Sequence, residues 1–102
     1  MKKTVAVFGI LRFPPESMGA VRPHLKTFVD ATRNLDGCIV YDVAEDLFDP
    51  GLIRFSELWP DNDSLNAHLV ATHIAPWREA AKRLGLMERV FTAYSIHGAR
   101  PV

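Results

Sequence analysis

Residues 52–77 constrain this chain most, because their hydrophobic period changes at Pro60. Before the proline, Phe55, Glu57 and Trp59 share one face of a two-residue alternation, which is typical of a strand. After it, a run of Asp, Asn and Ser residues offers side-chain oxygens that accept hydrogen bonds from the free N–H groups of a helix start. The sequence therefore predicts a strand over residues 52–59 and a helix that begins near residue 64.

The helix after the polar run turns a histidine toward the core. At 100° per residue, Leu65, His68 and Leu69 fall within a stripe of about 100°, which is the width of a core-facing surface. His73 lies five residues beyond His68 and would point roughly 140° away on the same helix. This spacing argues against a two-histidine metal site, and we predict no metal.

His68 and Glu57 each have a structural and a functional interpretation. A histidine on an apolar face is commonly a core residue that bonds a nearby carbonyl or hydroxyl group. A carboxylate between two aromatic residues on a strand face is either paired, functional or placed at an edge. The pattern alone leaves both interpretations open.

The rest of the chain supplies three further strands and a longer first helix. Strands are predicted over residues 4–12, 38–46 and 87–96. A helix is predicted to start between residues 18 and 22 and to end at residues 34–37, where Gly37 supplies the left-handed residue. The second helical region is predicted to break near residues 72–76 and to resume over 78–84. The order βαββαβ predicts an α+β ferredoxin-like fold with a four-stranded antiparallel sheet.

One face of this sheet would lie uncovered by the helices. The first, second and fourth strands carry apolar side chains on both faces, so a monomer would expose a large apolar surface. We therefore expect a homodimer that packs sheet against sheet.

Composition limits the partners. The 102 residues fit one domain, over 1–102, and 12 basic residues balance 12 acidic ones, which argues against nucleic acid as a partner. No apolar run approaches the roughly 20 residues that span a bilayer, so we expect no membrane partner and a cytoplasmic location. The glycines form no nucleotide-binding motif, and the single cysteine, Cys38, is interpreted as a small buried hydrophobe.

Several short motifs together resemble the antibiotic biosynthesis monooxygenase family, whose members form dimeric α/β barrels. The resemblance covers nearly the whole chain and is carried by Asp36-Gly37-Cys38 with Tyr41, by Glu57-x-Trp59, and by Leu65, His68, Thr72 and His73. The resemblance does not fix one reaction, and our leading expectation among those of the family is a cofactor-independent monooxygenase that oxidises a small phenolic or quinol substrate with O2.

The expected site follows from this resemblance together with the inward position of His68. His68 is the candidate base, and Glu57 would orient it. The candidate substrate-binding residues are Trp59, Tyr41 and Phe55 around the ring and Asn62 and His73 at the mouth. Alternatives are a non-catalytic small-ligand-binding dimer, a haem-degrading relative or a relative that processes small carbonyl compounds. The haem-degrading relatives carry a ligating histidine further along the second helical region, where this chain has residues 78–82 without a histidine.

Overall fold

The computed structural model describes residues 3–102, which form one four-stranded sheet with three α-helices. The strands are β1 (Val5–Arg12), β2 (Val40–Glu45), β3 (Leu52–Trp59) and β4 (Glu88–Ser95), and the helices are α1 (Met18–Leu35), α2 (Asn62–Leu69) and α3 (Ile74–Arg83). The strand order is β2-β3-β1-β4, and each neighbouring pair is antiparallel. The predicted ferredoxin-like βαββαβ fold is confirmed.

The ends of α1 and α2 follow from local chemistry. Gly37 has a φ of +74°, the left-handed conformation that commonly terminates a helix, and it follows the C-cap residue Asp36 of α1. Asp61 caps α2, because its Oδ1 accepts from the backbone N–H of Ser64 at 2.8 Å. The predicted polar helix start is thus present, two residues earlier than expected.

The break in the second helical region lies earlier than predicted. α2 ends at Leu69 and α3 begins at Ile74, whereas the sequence placed the break near residues 72–76 and the second segment at residue 78. The predicted position was wrong because it assumed that the proline interrupts the helix. Pro76 instead occupies the first turn of α3, where its missing N–H removes no helical hydrogen bond.

The helices cover one face of the sheet, and the core lies between them. α1 buries a stripe at helical spacing that includes Val21, Leu25 and Phe28, whereas Leu35 at its end is exposed. The largest fully buried side chains are Trp59, Phe13, Ile53, Val5, Val21 and Thr32. Among the described residues, no helix is long and apolar enough to cross a membrane.

The other sheet face carries an apolar patch on β1 and β4. Phe8, Val90 and Tyr94 are 57%, 52% and 51% exposed, and the Phe8 and Tyr94 rings lie 6.1 Å apart. On β2 this face carries Val40, Asp42 and Ala44, so Asp42 interrupts the apolar surface that was expected on the second strand. The uncovered apolar area is therefore centred on β1 and β4.

This patch generates a prediction about assembly. We expect a dimer near twice the 11.4 kDa chain mass by size exclusion with light scattering, because a monomer would leave these rings in water. Phe8→Asp should shift the protein to the monomer, since it would bury a charge in the contact. Leu47→Asp, at an exposed apolar residue away from the sheet face, is the matched control. A wild-type monomer at micromolar concentration would contradict the expectation.

Candidate functional site

A cavity of about 410 Å³ lies between the helix-covered face of the sheet and helices α2 and α3. This volume is within the ordinary range for small-molecule sites, about 300–1,000 Å³. Its wall is mostly apolar and aromatic, with a few polar groups: Val7, Leu11, Phe28, Tyr41, Phe55, Glu57, Leu65, His68, Leu69, Ile74, Trp77, Arg78, Ala81, Leu86, Arg89, Phe91 and Ala93.

His68 is placed in this wall by the core-facing stripe of α2. Its ring is packed among aromatic side chains, with centroid distances of 4.8 Å to Trp59, 5.5 Å to Tyr41 and 5.8 Å to Phe28. Burial in this apolar environment lowers the pKa of His68, against the opposing effect of its hydrogen bond to Asp36. The imidazole is therefore biased toward the neutral form.

Asp36 is the hydrogen-bond partner of His68. Nδ1 of His68 lies 2.6 Å from Oδ2 of Asp36, and both side chains are at least nine-tenths buried. A carboxylate accepts, so Nδ1 carries the proton and Nε2 has the free lone pair. Among the described residues, every fully buried side-chain nitrogen or oxygen has a hydrogen-bond partner. Nε2 of His68 has none, so this atom is not fully buried. Because His68 lines the cavity, Nε2 is available to a ligand there.

The same carboxylate oxygen accepts from a second histidine. Nε2 of His73 lies 2.9 Å from Oδ2 of Asp36 and 3.3 Å from Oγ1 of Thr32. The prediction that His73 points about 140° away from His68 was wrong, because α2 ends before His73, and the turn at residues 70–73 returns the chain toward the end of α1.

The two histidines and Asp36 could also hold a metal ion. Each offers one ligand atom, and these atoms lie within 4.8 Å of one another. Two imidazoles and one carboxylate form a common donor set for divalent transition metals. The prediction of no metal rested on a spacing of five residues within one helix, and this reason does not apply because the two histidines are not on the same helix. The hydrogen bonds from His68 and His73 to Asp36 account equally well for the positions of the three side chains.

Asp36 was not among the predicted site residues, although the sequence holds a signal for it. The residue is the C-cap of α1, where the helix dipole disfavours negative charge. An acidic side chain at that end requires compensation, which the two histidines supply. An acid directly before a helix-terminating glycine was thus an indication of a functional or paired carboxylate.

Glu57 faces the helix side of the sheet, as its period relative to Trp59 allowed. It lies between Val7 and Tyr41 on the neighbouring strands and is 4% exposed. Its Oε1 accepts from Nε1 of Trp59 at 2.9 Å, and burial raises the pKa of Glu57. Glu57 was expected to orient His68 through a hydrogen bond, but among the described residues these two side chains form none. His68 donates its hydrogen bond to Asp36 instead.

The predicted substrate-binding residues divide into two groups. Tyr41 and Phe55 line the cavity, and burial strongly raises the pKa of the Tyr41 hydroxyl, which keeps it neutral. Trp59 packs behind His68, His73 bonds Asp36, and Asn62 is an exposed residue at the start of α2, so these three do not form the wall. The wall residues Trp77, Phe91, Arg78 and Arg89 were not predicted.

Fold and site together define a small α+β ligand-binding domain with an aspartate-bound histidine in an apolar cavity. Residues 4–80 match the antibiotic biosynthesis monooxygenase family, and the chain belongs to that family. The predicted resemblance is confirmed. No curated protein matches the chain.

Solved structures agree with the family. The chain is similar to a candidate antibiotic biosynthesis monooxygenase from Deinococcus radiodurans, with 31% identity, a TM-score of 0.89 and coverage of 96% of this chain and 97% of that one. It is also similar to Rv0793 from Mycobacterium tuberculosis, with 24% identity, a TM-score of 0.82 and coverage of 96% and 99%. A conserved protein from Methanosarcina mazei Go1 shares 22% identity, with a TM-score of 0.82 and coverage of 92% and 93%. The last two likenesses concern the fold alone.

The lowered pKa of His68 predicts a pH-dependent stability. Above pH 6.5 the imidazole is neutral in both states; below it the unfolded chain takes up a proton that the folded chain resists, so stability is lost as pH falls. Urea unfolding should therefore show a free energy of unfolding that decreases from pH 7 to pH 5. This decrease should be smaller in His68→Gln. Glu57 is present in both proteins, so its titration cancels in the comparison. The same dependence of the unfolding free energy on pH in both proteins would contradict a lowered pKa of His68.

Cys38 generates a second prediction. Its Sγ is half-buried, 4.0 Å from the carbonyl oxygen of Thr32, and burial raises the pKa of the thiol. Because the thiolate is the reactive form, the native protein should react with a thiol reagent more slowly than the urea-unfolded chain. Equal labelling rates at pH 7 would show that the thiol is neither shielded nor shifted.

Proposed function

We propose that this chain is a cofactor-independent monooxygenase that oxidises a small phenolic or quinol substrate with O2. The observation that carries the proposal is the bond between Asp36 and Nδ1 of His68, which leaves the basic nitrogen Nε2 available in a cavity with an aromatic wall. Membership of a monooxygenase family supports the reaction class. The choice of substrate rests on the chemistry of the site.

The proton transfer is the step that the protein itself performs. Nε2 of His68 takes the hydroxyl proton of the bound phenol, and the imidazolium that forms keeps its Nδ1–H on Asp36. The carboxylate fixes the tautomer and stabilises the charge, as the aspartate does in a hydrolytic triad. This role, assigned to Glu57 from the sequence, passes to Asp36.

The oxidation balances without another reductant. For a phenol or quinol with hydrogen at a ring carbon ortho or para to the ionised hydroxyl, the phenolate gives one electron to O2, and the phenoxyl radical and superoxide combine to form a C–O bond at that carbon. The imidazolium returns its proton to the distal oxygen, the ring carbon loses its proton, and the O–O bond breaks. The products are a quinone and water, and the four electrons that reduce O2 come from the substrate.

Glu57 and Tyr41 have supporting roles in this proposal. Both lie in the cavity wall. Burial strongly raises the pKa of Tyr41, so its hydroxyl stays neutral and can donate a hydrogen bond to an oxygen of the substrate. Burial also raises the pKa of Glu57, and its carboxyl can donate in the same way when it is protonated. Phe55 and Trp77 offer apolar surfaces for the ring, and such surfaces favour a site from which water is excluded.

Turnover in variants tests the base. His68→Ala should lower kcat/KM for oxidation of 1-naphthol or a hydroquinone by about 10²–10⁴-fold, which is the usual contribution of a general base. The rate is measured as O2 uptake and quinone absorbance. His24→Ala, at an exposed residue of α1, is the control and should have wild-type activity. Unchanged turnover in His68→Ala, or no turnover of any probe by the wild type, would contradict the proposal.

The pH profile separates a base from a merely structural histidine. In the wild type, kcat/KM should fall on the acidic side with a midpoint below 6.5, because burial lowers the pKa of His68. Asp36→Asn should lower kcat more than it changes KM, since the amide no longer fixes the tautomer.

Two further measurements address the alternatives. Activity that survives a chelator argues for the proposed base; loss that Fe²⁺, Mn²⁺ or Zn²⁺ restores would show that Asp36, His68 and His73 hold a metal instead. A sharp drop in melting temperature in His68→Ala, without any turnover in the wild type, would favour a non-catalytic binding dimer in which this cluster is structural.

A further inference from the structure

Two guanidinium groups lie at the wall of the cavity, on elements that approach it from different sides. Arg78 projects from α3, and Arg89 projects from the helix-facing side of β4, in register with Leu11. Both residues are exposed, so they lie where the cavity meets solvent. They are the two guanidinium groups of a wall that is otherwise mostly apolar, with Tyr41, Glu57 and His68 as its other polar members.

Neither guanidinium has an anionic partner within residues 3–102. Four of the other arginines are paired: Arg12 with Asp49 and Glu88, Arg22 with Glu45, Arg33 with Asp42, and Arg54 with Asp46. Among the residues that the structure describes, Arg78 and Arg89 form no hydrogen bond or ion pair with a carboxylate. In a chain with equal numbers of basic and acidic residues, this leaves a local positive excess at the cavity.

The position of Arg89 is supported by the sheet. Its Cζ lies 4.6 Å from the centre of the Phe91 ring, a cation–π distance, and the Phe91 ring packs at 5.1 Å from Phe55. Phe91 lies directly across Gly9 of β1, where an added Cβ would come within 2.2 Å of the ring. Gly9 therefore makes room for the aromatic platform on which Arg89 rests.

The nearby acidic groups have other hydrogen-bond partners. Asp36 accepts from two histidines, and Glu57 accepts from Nε1 of Trp59. Both arginines act on the cavity electrostatically: Arg78 lowers the pKa of His68, and Arg89 opposes the rise in the pKa of Glu57. A negative group on a ligand would meet two uncompensated guanidiniums at the rim.

We propose that Arg78 and Arg89 form an anion subsite, and that the ligand is an aromatic hydroxyl compound that carries a carboxylate. The inference rests on the proposed function, which places the hydroxyl group of the ligand at His68. It adds that the carboxylate at the other end of the ligand binds Arg78 and Arg89. Guanidinium groups suit carboxylates because their N–H donors match both oxygens. The aromatic body would lie between these ends, against Phe55 and Trp77.

The size of the cavity narrows the class. An apolar cavity of about 150 Å³ holds one benzene ring, so about 410 Å³ has room for two fused rings and a carboxylate. The ligand class is therefore a hydroxylated bicyclic or larger aromatic acid.

Binding of a matched pair of probes tests the subsite. In calorimetry, the wild type should bind 6-hydroxy-2-naphthoate roughly ten-fold or more tightly than its methyl ester, since a charge-assisted bond is worth about this factor. Added salt should weaken binding of the acid more than that of the ester. In the double variant with Arg78→Gln and Arg89→Gln, the preference for the acid should disappear while the affinity for the ester stays within a few-fold.

Arg83→Gln is the matched control, because Arg83 is an exposed arginine on the same helix and lies outside the cavity wall. It should keep the preference for the acid. Equal affinity for acid and ester in the wild type, a preference that survives the double variant, or binding of neither probe would overturn the subsite.

The subsite and the reaction can fail separately. If the acid is preferred but no phenol is oxidised, the anion subsite stands and the proposed monooxygenase activity is wrong. If neutral naphthols are oxidised with no preference for the acid, the activity stands and the subsite is wrong.

Discussion

The site depends on one buried carboxylate oxygen, Oδ2 of Asp36, which accepts hydrogen bonds from His68 and His73. A carboxylate that is more than nine-tenths buried at the negative end of a helix dipole is unfavourable by itself, so these donors are needed to hold it there. The two bonds join the end of α1 to the end of α2 and to the turn before α3. The geometry of the helical layer and the chemistry of His68 are therefore set by the same interaction.

The aromatic cluster around His68 gives the cavity its electrostatic character. Desolvation lowers the pKa of a base and raises that of an acid, and both effects occur here, in His68 and in Glu57. The two buried groups are thus biased toward neutrality by the same environment. A mostly apolar wall with few polar groups suits an uncharged phenol, and the guanidiniums of Arg78 and Arg89 lie at the exposed part of the wall.

The fold could be read from the sequence because its elements have clear periods, and β3 was predicted with its observed bounds. The inward orientation of His68 followed from the same kind of argument. The partner of His68 did not, because Asp36 is 32 residues distant in the chain, and only tertiary packing brings the ends of α1 and α2 together. The role of His73 depended on the exact position of the helix break, which was predicted a few residues too late because the predicted interruption included Pro76, whereas this proline lies in the first turn of α3.

Ligand binding and the expected self-association use opposite faces of one sheet. On β1, Val7 points toward the cavity and Phe8 points to the uncovered face, as the two-residue period of a strand requires. On β4, Phe91 faces the cavity and Tyr94 the other side. Adjacent residues can thus be substituted to affect one property at a time. The two faces still share a backbone. A shift of one residue in strand register would turn every side chain of that strand to the opposite face. The cavity and the contact surface therefore both require the observed register of β1 with β3 and β4.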